Sequence, residues 1–204
     1  MTIPRNDVTP RTRTWGEWPA RLYERLLEQR IVMAHGRLDN EAATRLCAQL
    51  LTLDAENTQP IRLELQSLDA ELDAALTVMG VLDALRVPVS AYVAGRLRGP
   101  AVGLLALADH RYGYPSTVFV LSEPRMNFDG TVAAVTAQEQ QATHMLSELA
   151  SRLAAVTGRD VEQIRSDFER QRVLTVDEAL EYGLIDGRAE PRRPLQTGLR
   201  PLQP

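Results

Sequence analysis

Residues 61–94 read IRLELQSLDAELDAALTVMGVLDALRVPVSAYVA, and two changes of hydrophobic period within them decide the class of fold. In IRLELQ, Ile61, Leu63 and Leu65 fall on alternate positions, as along one face of a strand. From Glu71 the period lengthens: Leu72, Ala75, Leu76, Met79, Leu82 and Leu85 recur at helical spacing, and Pro88 ends the run before a second strand, VSAYVA. The same order holds on either side. Upstream, RLYERLLEQR opens a short helix on Leu22, Leu26 and Leu27, and IVMAHGRL is a strand ending at a glycine turn. Asn40 then precedes a helix from about Glu41 to Leu53, which the Asn-Thr-Gln-Pro stretch breaks. Downstream, Pro100 starts the helix AVGLLALA, RYGYPSTVFVLSEP reads as turn and strand, and a long helix runs from Thr131 to Val156 and stops at Gly158. A short helix spans Arg159 to Arg170, and Thr175 with Glu178 three residues later caps a last one that closes at Gly183. Strand alternating with helix predicts an α/β fold with largely parallel pairing.

Composition sets bounds on function. The 204 residues are 44% apolar with few aromatics, which suits one domain that buries roughly 70% of its unfolded surface. A net charge of -4 gives no broad attraction to nucleic acid or to an anionic membrane, and neither is expected as a partner. All 23 basic residues are arginine, so lysine chemistry is excluded. The single cysteine, Cys47, lies in an apolar helical pattern and reads as a small core residue. The first thirty residues lack the apolar core of a signal peptide, and the longest apolar run, near Ala101 to Ala108, is too short to span a bilayer. A cytoplasmic protein is the expectation. Residues 1–14 and 190–204, both rich in Pro and Arg, read as tails around a domain at about 15–189.

Several local patterns carry a resemblance. Gly16, Glu17, Tyr23, Arg25, Leu26, Leu27 and Arg30 form GExxxxxYxRLLxxR, with Trp18 at a position commonly filled by arginine. RYGYPSTVFVLSEP aligns with RYALPNSRVMIHQP after a deletion of about two residues between Leu105 and Arg111. Glu169 and Arg170 followed by EALEYGLID match ER, seven intervening residues and EAKEYGLID, and NFDG with the helix behind it matches without a gap. Together these resemble the proteolytic subunits of the Clp protease family from Gly16 to Asp186. The resemblance implies the ClpP/crotonase fold of repeated ββα units. It also implies a protruding handle of strand and long helix at about residues 125–157, and assembly into rings, with two stacked heptamers as the usual form. A long helix with Ala, Leu and Val along one face is consistent with burial against another subunit; its alternative is a helix folded on its own core.

The same resemblance places the family's serine, histidine and aspartate at Gly99, Ser122 and Gln171. Its glycine-rich oxyanion turn falls at Ser67, Leu68, Asp69, Ala70 and Glu71, with Asp69 and Ala70 as the oxyanion equivalents. Peptide hydrolysis needs a nucleophile, a base, a group to orient that base and donors for the oxyanion. None of the three side chains is supplied here, and an acid beside the site opposes a developing oxyanion. The expectation is an inactive, scaffolding or regulatory subunit that assembles with itself or with an active paralogue. The alternative is a working Clp serine endopeptidase subunit. The N-terminus departs from the apolar start that the family presents to its Clp ATPase, which speaks against that partner.

Other candidates are weaker. Asp109 and His110 are sequence neighbours and so point different ways, His35 precedes the turn glycine Gly36, and His144 borders the packing face of the long helix. Ser122 with Glu123 lacks an intervening base. No two histidines have ligand spacing, so neither metal nor cofactor is expected. The run VAGRLRGPAVGLLALADHR, Val93 to Arg111, also resembles crotonases, which implies acyl-CoA binding as a further alternative. The short chain, the lack of lysine and the handle match count against it. Arg96 and Arg98 read as exposed arginines in a turn that could face an anion.

Overall fold

A computed structural model describes residues 20–124, 126 and 128–190, with no side-chain description for Ala20 and Arg21. The expected tails, and Gly16, Glu17 and Trp18 of the opening motif, lie outside the described residues, except for Glu190. Helix α1 (Ala20–Glu28) leads into three strand-helix repeats: β1 (Ile31–Leu38) and α2 (Asn40–Glu56), β2 (Ile61–Ala70) and α3 (Leu72–Ala84), β3 (Val89–Arg98) and α4 (Ala101–Ala106). After them come β4 (His110–Gly113), β5 (Val118–Val120), α5 (Val132–Thr157), α6 (Val161–Glu169), β6 (Val173–Thr175), α7 (Val176–Tyr182) and β7 (Gly187–Arg188). Every strand pair is parallel except β5 with β6, as the α/β alternation predicts.

Helix ends follow from local hydrogen bonding. The cap of α2 is Asp39 rather than Asn40, because the Asp39 carboxylate accepts from Ala42 N at 2.9 Å. Helix α3 stops before Pro88, at Ala84. Just beyond it Asp54, on α2, accepts the backbone N–H groups of Arg86 (2.9 Å) and Val87 (3.1 Å) and so fixes an extended turn. The hydrogen bond from Arg86 N leads the contacts that hold the Asp54 carboxyl below the usual carboxylate range. Thr175 and Glu178 form the predicted reciprocal cap of α7, and Gly183 ends it in the left-handed region.

The three long strands continue further than their apolar patterns suggest, because each is bent rather than ended by a left-handed residue. Gly36 in β1 (φ 75°), Ser67 in β2 (φ 45°) and Gly95 in β3 (φ 74°) interrupt the pairing side by side. Buried positions in β2 run Ile61, Leu63, Leu65 before the interruption and Leu68, Ala70 after it, a shift of one residue. Up to Val93, β3 pairs with β4, and from Arg96 it pairs with β5 instead. The sheet is therefore two half-sheets. Strand β7 extends the first through β4, and β6 extends the second through β5. Each bent strand with its helix is one ββα unit, and β4, β5 and α5 make a fourth in which the two half-strands have separated. Ser67–Ala70 and Arg96–Arg98 thus belong to strands and not to turns.

Helices α2, α3 and α4 bury Leu46, Leu50, Val78, Met79, Val102 and Leu105 against Leu63, Leu65, Ala91 and Val93. Among the described residues, no helix is long and apolar enough to cross a membrane. Helix α5 divides into two parts. Leu149, Ala150, Leu153 and Ala154 are buried on the domain, whereas the first turns hold no buried residue and Val132 is 86% exposed. The described residues from Leu121 to Gly130 form no strand pairing within this chain. Arg125 and Asn127, part of the expected handle strand, lie outside the described residues.

A buried carboxylate joins α6, the turn that follows it and α7. Asp167 on α6, 4% exposed, accepts from Tyr182 Oη (2.6 Å), Gln163 Nε2 (3.0 Å) and Arg172 Nη1 (3.2 Å). Burial works against its charge, yet these donors outweigh burial and hold its pKa below the ordinary carboxylate value. The same burial, with Asp167 as acceptor, pushes the Tyr182 hydroxyl far above its usual range.

Two outcomes follow for stability. A Cβ at Gly95 would lie 2.3 Å from Ser67 Oγ at a φ of +74°, so Gly95→Ala should cost about 1–3 kcal/mol. Adding Ser67→Gly removes the clash but not the strained φ. Urea unfolding should therefore show partial recovery in the double variant, whereas strictly additive effects would separate the two residues. A depressed carboxyl stabilises the fold above its unfolded value, about 3.9, and loses that contribution as pH falls through the lower folded value. Asp167→Asn should cost about 3 kcal/mol at pH 7 and flatten the acid limb below about pH 4. An unchanged acid limb in urea midpoints would assign that limb to other groups.

Candidate functional site

The bend carries the ends of β2, β3 and β5 to one place. Gly99, between the last residue of β3 and α4, has φ 57° and donates from its N–H to Val120 O at 3.0 Å. The space where a side chain would stand is bounded by Ser122 O at 3.4 Å, Asp69 Oδ1 at 3.6 Å and Ser122 Oγ at 3.7 Å from an ideal Cβ. Three of the predicted positions therefore converge around one empty Cβ site.

Ser122 follows β5 and is 2% exposed. Its Oγ accepts from Arg98 Nε at 3.3 Å, so its polar partner is an arginine and not Glu123, which is exposed. Gln171 occupies the turn between α6 and β6 with φ 52°, and its N–H donates to Phe168 O at 3.1 Å. The next residue, Arg172, accepts Leu121 N at 2.9 Å through its carbonyl. That bond brings the Gln171 turn alongside the strand end bearing Ser122, and the Asp167–Arg172 pair holds the turn from behind. The exposed Gln171 side chain makes no hydrogen bond among the described residues.

Backbone donors near Gly99 are committed or missing. Ala70 N donates to the Asp69 carboxylate at 3.0 Å, and Pro100, directly after Gly99, has no N–H. Ser67 packs its hydroxyl against Gly95, and Glu71 is drawn off to Arg37 at 2.7 Å. Asp69 stands beside Arg98 in the β2–β3 register, but no carboxylate among the described residues lies within 4.0 Å of Arg98. The sequence had signalled neither the Asp69–Ala70 bond nor the Arg98–Ser122 bond. The spacing of Arg96 and Arg98, two apart like the side chains on one strand face, was the signal that could have led there.

The remaining candidates are elsewhere. Asp109 donates its backbone N–H to Val89 O at 2.9 Å and accepts Val89 N through its carboxylate at 2.7 Å. It pins the start of β3, at the opposite end of that strand from Gly99, and does not orient the exposed His110, which pairs with Ser90 in β4. His35 hydrogen-bonds Tyr23 Oη at 2.8 Å and lies inside β1, which runs on past Gly36 to Leu38. His144 is exposed on α5. Cys47 is buried on α2, and burial raises its thiol pKa. The described residues hold no cluster of three metal-ligating side chains.

Comparison with known proteins identifies the family. The Clp protease family model matches residues 16–192. The ATP-dependent Clp protease proteolytic subunit 1 of Corynebacterium jeikeium is 32% identical over 168 residues, covering 81% of this chain and 89% of that protein. Subunit 4 of Rhodococcus jostii is 32% identical over 188 residues, covering 91% of this chain and 95% of its own length. Subunit 2 of the same organism is 31% identical over 168 residues, covering 81% and 86%. With the match running across nearly the whole described domain, the chain belongs to the Clp protease family, a family of serine peptidases.

Proposed function

We propose that this chain is a catalytically inactive Clp protease subunit, scaffolding or regulatory, that assembles with copies of itself or with active proteolytic subunits. The observation that carries this is the empty Cβ position of Gly99, bounded by Ser122 and Asp69, where the sequence resemblance puts the family's nucleophile. Glycine has no side chain with which to attack an acyl carbon. Ser122 stands at the histidine position and Gln171 at the aspartate position, and neither side chain is a general base at neutral pH.

The backbone argues the same way. An oxyanion is stabilised by preorganised N–H groups aimed at it. Ala70 N–H is already taken by Asp69, and Pro100 offers none. The Asp69 carboxylate would face a developing negative charge at close range. Removing catalysis at Gly99 alone leaves a site that one substitution restores; here several independent requirements are unmet.

Assembly is supported by the first turns of α5. Val132 is 86% exposed and no residue before Ala142 is buried, so this part of the helix lies beyond the domain's own core. Clp protease subunits typically form rings, and a neighbouring subunit is the natural cover for such a projection.

The wild-type protein, incubated with fluorogenic peptides and a fluorophosphonate, should show neither turnover nor serine labelling; labelling with matching turnover would overturn the reading. The triple variant Gly99→Ser, Ser122→His, Gln171→Asp should remain roughly 10²–10³-fold slower than an active relative, for want of oxyanion donors. Recovery to within tenfold would show that the backbone had stayed competent. Light scattering should give a multi-subunit mass, alone or with an active subunit, and Val132→Asp should lower it. A monomer under both conditions counts against assembly.

A further inference from the structure

We infer that the cleft lined by Asp69, Arg96 and Arg98, where β3 leads into Gly99, is an oxyanion-binding site built on the two arginines, taking a carboxylate such as a peptide C-terminus, or a free phosphate. The inference rests on the non-hydrolytic reading of Gly99, since it gives that region a ligand to hold rather than a bond to break.

Arginine is the only cation this chain uses besides histidine, and most of its described arginines are neutralised locally. Eleven ion pairs within 4.0 Å involve ten different arginines, Arg152 making two of them. Arg96 and Arg98 have no carboxylate at that distance among the described residues. They stand two apart on β3, roughly 7 Å along the strand, and line one cleft of about 520 Å³ together with Ser67, Ser116 and Asp69. Two guanidinium groups on one strand face repel each other, and an anion between them removes that cost.

Arg98 is positioned for recognition rather than left loose. Leu97, fully buried, anchors the strand between the two arginines. The Arg98 Nε–H is spent on Ser122 Oγ at 3.3 Å, a buried neutral acceptor that fixes the guanidinium plane and leaves its terminal N–H groups to the cleft. A planar fork held in this way suits the two oxygens of a carboxylate or phosphate. Asp69 is the opposing charge on the facing strand. Its Oδ1 is turned to Ala70 N, so it does not neutralise Arg98, but it lowers the affinity of any anion there.

The chemistry gives opposite signs for neighbouring substitutions. A tetra-alanine peptide carrying a neutral coumarin at its N-terminus is titrated against the full chain by fluorescence anisotropy at low salt. It is used once with a free C-terminal carboxylate and once as the amide, with inorganic phosphate as competitor. The carboxylate form should bind at least tenfold more tightly than the amide, and Arg96→Gln with Arg98→Gln should abolish the difference. Asp69→Asn should tighten binding several-fold. If phosphate displaces the peptide with the same arginine dependence, the site stands and phosphate is its stronger ligand. Equal binding of carboxylate and amide together with no phosphate competition, an unaffected double arginine variant, or weaker binding by Asp69→Asn would overturn the inference. Arg96 is exposed, so Arg96→Gln tests the claim even if the Arg98 variant misfolds. Chromatography of the peptide afterwards separates the two readings. A cleaved peptide refutes the inactive site alone, and an intact peptide that does not bind refutes the anion site alone.

Discussion

The row of left-handed residues across β1, β2 and β3 is the constraint on which the rest of the structure depends. A flat parallel sheet would carry Gly36, Ser67 and Gly95 straight through and give each strand one pair of neighbours along its whole length. Instead the three residues stand side by side with positive φ, the strands bend together, and β3 exchanges β4 for β5 within a few residues. The bend is held by a close approach. Ser67 Oγ occupies the volume a side chain at Gly95 would need, and the left-handed φ at that position favours glycine as well.

Everything at the site descends from that bend. It gathers the ends of β2, β3 and β5, and so sets Asp69, Gly99 and Ser122 around one Cβ-sized space. At the centre of that space stands a residue with no side chain. Two polar contacts close within the region: Arg98 Nε donates to Ser122 Oγ, and Ala70 N donates to the Asp69 carboxylate.

A second anchor acts from behind the sheet. Asp167 gathers Tyr182, Gln163 and Arg172 in a buried network, and the Arg172 carbonyl in turn accepts Leu121 N. Three elements distant in sequence are thereby tied to the strand end that carries Ser122. Leaving that carboxylate unpaired would strand a charge in the core, which makes the network costly to break. The later half of α5 rests on the same core, while its first turns extend past it.

Much of the architecture was legible from local pattern. Ile61, Leu63 and Leu65 announced a strand, Leu72 to Leu85 a helix, and Thr175 with Glu178 a capped start, because period and capping depend on neighbours within a few residues. Gly99, Ser122 and Asp69 could also be named together from the resemblance, and the fold brings these three around one Cβ-sized space. Strand lengths were not legible. The polar stretches Ser67–Ala70 and Arg96–Arg98 look like turns in sequence, and only pairing with other strands keeps them extended. Nor could sequence show that Asp109 pins β3 instead of serving His110, or that Arg98 lies on Ser122 and Asp69 on Ala70 N. Local periodicity is set by the chain's immediate neighbours and so is written in the sequence. Which polar atom satisfies which is decided by segments far apart in the chain, and only the folded sheet brings those together.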